Sequence, residues 1–231
     1  MRGRLILSGG GSGEDERLLL ESLVSTIGTD ARLLYWPMAM PPERHAQCLT
    51  WIQDTFRNFG FDGITMWTDF NGRSPGDLSK FDAIFIGGGC TYLLSRMLKE
   101  SGFDQCLVDY HRSGGTIYGG SAGAIIFGVN IETCAHIDRN TCGLLDMSGL
   151  NLVKGMGVAC HYRPAHRKIL EACVDKFGAP VIALNERNGI ILDATGIRVA
   201  GHEPAQLIGK TGIQLVASGD KLVAEVTSGT A

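Results

Sequence analysis

Three short apolar runs stop abruptly at glycine: Leu5-Ile6-Leu7 before Ser8-Gly9-Gly10-Gly11, Ala83-Ile84-Phe85-Ile86 before Gly87-Gly88-Gly89, and Thr116-Ile117-Tyr118 before Gly119-Gly120. A short run that is apolar throughout, without alternation, reads as a strand covered on both faces, the mark of a parallel sheet between two layers of helices. Leu33 to Trp36 before Pro37 supplies a fourth such strand and Ile64 to Trp67 a weaker fifth. Amphipathic stretches lie between them, at Glu14 to Ile27, Pro42 to Phe59, Thr91 to Lys99, Phe103 to Arg112 and Ala122 to Phe127. This alternation predicts an α/β, doubly wound, mostly parallel sheet. Ligands bind such sheets beyond the carboxyl ends of the strands, so all three glycine loops are expected to converge on one cleft.

Beyond Ala122 the pattern changes. Residues 128–157 are polar and glycine-rich and read as a loop region flanking the cleft, followed by a helix from Pro164 to Phe177. Short strands are expected at Val181 to Leu184, Gly189 to Leu192, Ile197 to Ala200, Gln206 to Ile208 and Lys221 to Val226, added as a meander to the edge of the sheet. No repeat or interdomain linker interrupts the chain, so one α/β domain over residues 1–231 is the simplest organisation.

Charge narrows the function classes. The formal net charge is -3 and no Lys/Arg run exceeds a pair, which argues against nucleic acid or an anionic membrane as partner. The basic start Met1-Arg2-Gly3-Arg4 is followed by too short an apolar stretch for a signal peptide, and no segment has transmembrane length. The seven cysteines are odd in number and scattered without a Cys-x-x-Cys pair, which suggests reduced thiols in a cytoplasmic protein rather than disulfides or zinc. Cys160 reads as a small buried residue at a strand end.

The chemistry centres on Gly119-Gly120-Ser121-Ala122-Gly123. A serine flanked by small residues, where a buried strand turns into a helix, can hold the strained geometry that pushes its hydroxyl into a cleft. The helix start at Ala122 offers N–H groups to a developing oxyanion, and the loop Gly87-Gly88-Gly89 can offer another. The same motif also arises as an ordinary turn in a glycine-rich chain, so it needs partners. A serine hydroxyl requires a base. His111 precedes the motif and reads as a surface residue, while His136, His161, His166 and His202 follow it. His161 stands out because Gly157 to Cys160 reads as a short strand delivering it at its end; His166 falls within the following helix. A carboxylate should orient that histidine. Glu186, after an apolar strand, and Asp138, in the loop after the nucleophile, are both placed for this, with Asp146 and Asp193 as weaker choices and a solvated charge or helix cap as the plain alternative for each.

These residues resemble the peptidase E family of serine peptidases, which includes aspartyl dipeptidases and cyanophycinases. The matching segments are Leu5 to Gly11, Phe85 to Thr91, Gly120 to Ala124, Gly149 to Val153, His161-Tyr162 and Ile182 to Glu186, together covering most of the chain. The resemblance implies a class I glutamine amidotransferase-like (flavodoxin-like) fold in which serine replaces the usual cysteine. It implies Ser121 as nucleophile, His161 as general base, and the N–H groups of Gly88 and Ala122 as the oxyanion hole. The acid can be placed at Asp138 or Glu186, with Glu186 the better fit. It further implies a small peptide substrate, aspartyl bonds among them, and no metal or organic cofactor. Gly89, Arg163 and Arg167 are the substrate-binding positions, the arginines as carboxylate partners, although both arginines can equally be solvated helix residues. Relatives commonly carry asparagine where this chain has Cys90.

Two other readings stay open on sequence alone. An α/β-hydrolase esterase would use His202 as base, but the chain is short for that fold and lacks an upstream His-Gly-Gly-Gly. A binding or regulatory protein could keep the fold without the activity. Gly9 to Gly13 lacks a P-loop lysine and reads as a wall of the cleft rather than a nucleotide loop.

Overall fold

The structure, a computed structural model, describes residues 3–223. The basic Met1-Arg2 start and residues 224–226 of the last expected strand lie outside the described residues.

In chain order the elements are β1 (Arg4–Ser8), α1 (Arg17–Ile27), β2 (Leu33–Trp36), α2 (His45–Arg57), β3 (Ile64–Met66), β4 (Ala83–Ile86), α3 (Thr91–Ser101), α4 (Phe103–Arg112), β5 (Thr116–Gly120), α5 (Ala122–Ile125), β6 (Gly157–Ala159), α6 (Arg167–Phe177), β7 (Val181–Ala183), β8 (Asn188–Asp193), β9 (Gly196–Gly201), β10 (Ala205–Gly209) and β11 (Gly212–Val216). Single 3-10 turns at Gly13–Asp15, Pro42–Arg44 and Pro164–His166 lead into α1, α2 and α6, so those α-helices begin a few residues later than the sequence suggests.

The main sheet has seven strands in the order β3-β2-β4-β5-β1-β8-β9. The first five run parallel, and β8 and β9 continue the sheet antiparallel. Successive side chains of a strand point to opposite faces. Leu5, Leu7, Leu34, Trp36, Ile84, Ile86 and Ile117 therefore pack on one face with residues of α3, α4 and α5, while Ile6, Leu33, Tyr35, Phe85 and Tyr118 pack on the other with residues of α1 and α2. Two aliphatic or aromatic layers, each buried side chain contributing about 1.5–3 kcal/mol of burial, explain why these strands carry no polar alternation.

The late strands differ from the expected edge meander. Only β8 and β9 join the main sheet; β7 and β10 instead form a second sheet of order β11-β10-β7-β6, in which β6 and β7 are parallel. One face of this sheet is covered by α6, with Leu170, Cys173 and Val174 against Ala159, Val181, Ala183 and Ile208, and the other face joins the main core through Val158, Ile182 and Leu207. A three-residue apolar run fits either sheet equally well, and only long-range pairing decides between them. The strand β11 was not anticipated, and Lys221 of the expected 221–226 strand makes an isolated bridge to Arg198. His111, expected at the surface, is buried near the end of α4. Among the described residues, no helix is long and apolar enough to cross a membrane.

Candidate active site

The carboxyl ends of β1, β4, β5 and β6 meet at Ser121. Its backbone has φ 50° and ψ -112°, a sparsely populated conformation that costs on the order of 1–3 kcal/mol and persists only where the surroundings enforce it. The Ser121 N–H donates to the Ser8 carbonyl (3.2 Å), tying the turn to the end of β1. Only four non-glycine residues among those described have positive φ, and His161 is another of them, at φ 53°. His161 leaves β6 in this conformation because its N–H donates to Gly9 O (3.0 Å) while the next residue, Tyr162, donates to Leu184 O (2.9 Å). The result brings His161 Nε2 to 2.9 Å from Ser121 Oγ.

Glu186 lies on the turn between β7 and β8, with its Oε1 at 3.3 Å from His161 Nδ1. Asn188, buried at the start of β8, holds this turn: its Oδ1 accepts from the Asn185 N–H (3.0 Å) and its Nδ2 donates to Pro204 O (2.7 Å). Partial burial works to raise the Glu186 carboxyl, but its own backbone N–H, His161 and Arg163 outweigh it and hold the group below the usual carboxylate range. Asp138 sits elsewhere. Its Oδ2 accepts from the Thr91 N–H (2.8 Å) at the first residue of α3, and among the described residues it makes no hydrogen bond or ion pair with His161. Asp146 pairs with Lys99 (2.5 Å), and Asp193 with Arg4 (3.1 Å) and Arg198 (3.2 Å).

Three other histidines are engaged away from Ser121. His202 Nε2 lies 3.0 Å from Glu14 O, and His136, between the carbonyls of Thr133 and Cys160, packs its ring 4.4 Å from that of His166. Cys160 is buried, its Sγ between the carbonyls of Ser8 and Ser121, and burial pushes its thiol far up, so it fills space as expected.

Gly88 abuts Ser121: a Cβ there would stand 3.2 Å from Ser121 Cβ and 3.7 Å from its Oγ. Ala122 is the first residue of α5, and its N–H has no partner one turn back within the helix. That helix is four residues long rather than the six expected, so local N–H groups, not a long helix dipole, are what it offers an anion. Gly89 packs against the Ala39 carbonyl, and the Cys90 thiol is turned towards Arg139 O (4.0 Å). Arg163 and Arg167 are exposed, and Arg167 is paired with Glu171 (2.7 Å). Among the described residues, no group of three or more His, Cys, Asp or Glu is arranged to hold a metal ion.

Two features had no sequence signal. Gly10 has φ +101°, and a Cβ on it would come within 2.5 Å of the His161 ring and 3.0 Å of Ser121 Cβ; only glycine lets the β1 loop pass this close to both. Glu16, an acidic residue in an amphipathic stretch, is buried with its carboxyl against the Ser8 hydroxyl, which also accepts from the Gly10 N–H (3.1 Å). Burial, opposed in part by the hydroxyls of Ser8 and Tyr118, pushes Glu16 up to about 7 from 4.5. A carboxyl that keeps its proton longer when folded favours folding below its unfolded value, and that contribution is lost as pH rises through the folded value. Wild type is therefore expected to lose up to about 3 kcal/mol between pH 4.5 and 7 that Glu16→Gln, always neutral, does not lose. Urea unfolding of both proteins across that range measures it; parallel curves would contradict it.

Residues 5–200 match the description of peptidase family S51. The chain is 33% identical over 88 residues to an uncharacterized peptidase, Lmo0363, of Listeria monocytogenes, an alignment covering 37% of this chain and 43% of that protein's length. The crystal structure of a peptidase E protein from Listeria monocytogenes EGD-e superposes with a TM-score of 0.70 at 20% identity, over 88% of this chain and 100% of the other. That of a peptidase from an acI-B1 Actinobacterium gives 0.74 at 18% identity, over 97% and 98%. The two structures share the α/β fold described above. With the family match running from β1 into β9 and spanning the glycine loops, Ser121, His161 and Glu186, the chain belongs to peptidase family S51.

Proposed function

We propose that this chain is a serine peptidase that hydrolyses short peptides by acyl transfer, its two sheets working as one hydrolytic domain. Ser121 is the nucleophile, His161 the general base and then acid, and Glu186 the residue that orients His161. The observation that carries this reading is the continuous contact from Ser121 Oγ to His161 Nε2 (2.9 Å) and from His161 Nδ1 to Glu186 Oε1 (3.3 Å). Contacts of this length at a catalytic site tighten as the substrate and transition state bind.

In the first step Ser121 Oγ attacks the peptide carbonyl as its proton passes to His161 Nε2. Charge developing on the carbonyl oxygen falls between the N–H groups of Gly88 and Ala122. Glu186 accepts from Nδ1–H, which fixes the tautomer that leaves Nε2 free to take a proton and stabilises the cation once it has done so. His161 then gives that proton to the leaving amine. Water, activated by the same nitrogen, attacks the acyl-enzyme and regenerates the serine. An aspartyl preference would draw on Arg163 or Arg167, of which Arg167 is already occupied by Glu171.

A fluorophosphonate reagent tests the activation of the hydroxyl, because an ordinary serine does not react with it. One equivalent is expected to attach per chain, mapped to Ser121 by peptide mass analysis, and the His202→Ala variant is expected to label equally fast. Absence of labelling at Ser121 would point to a member of the family that keeps the fold without the reaction.

A further inference from the structure

Next to Ser121 opens a cavity of about 510 Å³, within the range of about 300–1,000 Å³ common for small-molecule sites. Tyr35 and Phe85, near the carboxyl ends of β2 and β4, and Trp51 of α2 form its apolar wall. Their rings meet at mutual angles, with centroids 5.7 Å (Tyr35 to Phe85), 6.2 Å (Trp51 to Phe85) and 6.5 Å (Tyr35 to Trp51) apart. Gly10, Gly88 and Gly120 connect this wall to Ser121, and His161 is not among the residues that line it.

That placement assigns the cavity a side of the scissile bond. The leaving amine must collect its proton from His161, so the leaving half of the substrate lies by the histidine. The acyl half is joined to Ser121 Oγ with its oxygen towards Gly88, and its side chain projects to the side that His161 does not occupy. The cavity that touches Ser121, Gly88 and Gly120 without touching His161 is on that side.

Its chemistry then selects the side chain. The Met40 thioether and the rings make the inner wall apolar, the Tyr35 hydroxyl is turned to Cys48, and, Ser121 aside, the other neutral polar side chains of the lining, Ser12 and Gln47, belong to exposed residues, so a carboxylate set against this wall would be desolvated with little compensation. Glu16, buried where a Cβ on Gly120 would be 4.0 Å from its Oε1, has its carboxyl engaged by the Ser8 hydroxyl and supplies no cation on this side. Arg44 lies at the exposed mouth, where water screens it, and neither Arg163 nor Arg167 lines the cavity. An aromatic side chain, in contrast, can pack on the half-buried Trp51 ring, which the buried rings of Phe85 and Tyr35 back from behind.

We propose that this cavity is the acyl-side specificity pocket and that it takes an aromatic side chain, phenylalanine being the simplest, in preference to aspartate. The inference rests on the serine peptidase reading for its function but not for its binding, which allows the two to be tested apart. Hydrolysis of Phe-Ala, Ala-Ala and Asp-Ala dipeptides is compared for wild type, Ser121→Ala and Cys48→Phe; the last places a ring in the cavity from the half-buried Cys48 at its edge. The kcat/KM for Phe-Ala is expected to exceed that for Ala-Ala by about tenfold or more and that for Asp-Ala by about a hundredfold. Cys48→Phe is expected to lower the Phe-Ala to Ala-Ala ratio by about tenfold.

Binding of N-acetyl-phenylalanine amide and N-acetyl-aspartate amide to Ser121→Ala, followed by titration calorimetry, gives a readout that needs neither catalysis nor the Cys48→Phe variant. The phenylalanine amide is expected to bind about tenfold tighter. Ser121-dependent cleavage that favours Asp-Ala, or equal or reversed binding of the two amides, overturns the pocket assignment and leaves the peptidase reading standing. Tighter binding of the phenylalanine amide with no Ser121-dependent hydrolysis of any dipeptide supports the pocket and overturns the peptidase reading instead.

Discussion

Ser121→Ala is expected to remain folded and to hydrolyse short peptides more slowly than wild type by a factor on the order of 10⁴–10⁶. The size follows from what the change removes and what it leaves. In the proposed mechanism the single atom lost is the one that attacks, and the hydroxyl's hydrogen bond, to His161, goes with it. The N–H groups of Gly88 and Ala122, the proposed oxyanion donors, and the binding surfaces stay, which is why residual catalysis by bound water is expected to persist. Stability should change little, by about 1 kcal/mol, because one partly buried hydrogen bond is lost and the backbone conformation at 121 is held by the Ser8 carbonyl rather than by the hydroxyl. Single-turnover hydrolysis together with calorimetric Tm separates the two effects. A rate within about tenfold of wild type at unchanged Tm would remove Ser121 from the chemistry.

Much of this site was legible because it is built from short-range signals. Leu5 to Leu7, Ala83 to Ile86 and Thr116 to Tyr118 announce buried strands by their composition alone, and the glycines after them mark the sheet end at which Ser121 emerges. His161 was legible because Gly157 to Cys160 delivers it at a strand end, and the structure places its ring at the serine. Glu186 and Asp138 could not be separated by pattern, since each follows an element that ends near the cleft. Only the folded chain shows that one faces His161 and the other the start of α3.

What could not be read depends on long-range approach. The β1 loop lies against His161 and Ser121 so closely that Gly10 must be glycine, yet in sequence it is one glycine in a row of three. Glu16 occupies a polar position of an amphipathic pattern, and its burial arises because the end of β1 brings Ser8 over it. The aromatic wall draws Tyr35, Trp51 and Phe85 from three elements, each of which reads locally as core. Strand pairing has the same limit: Val181 to Ala183 is apolar in either sheet, and its partner β6 lies beyond a whole helix. His111 shows the converse error, a polar residue near a helix end that the fold buries.

Glu186→Gln is expected to lower kcat/KM by about 10³–10⁴, whereas Asp138→Asn should leave it within about threefold of wild type. The carboxylate at 186 accepts from His161 Nδ1 and carries negative charge because its surroundings hold it below the usual range. Glutamine matches the shape but not the charge, and its amide can turn an N–H towards Nδ1. The ring would then carry its proton on Nε2, where it cannot accept one from Ser121, and the imidazolium formed during attack would lose its counter-charge. Asparagine at 138 keeps an acceptor for the Thr91 N–H but removes a negative charge from the start of an eleven-residue helix. Its cost should therefore appear in stability, about 0.3–1 kcal/mol, rather than in rate. Measuring both rate and denaturant midpoint for the two variants resolves the assignment in both directions. A thousandfold loss of rate at 138 with 186 spared would move the orienting acid to the loop after the nucleophile, and with it the side from which His161 is held.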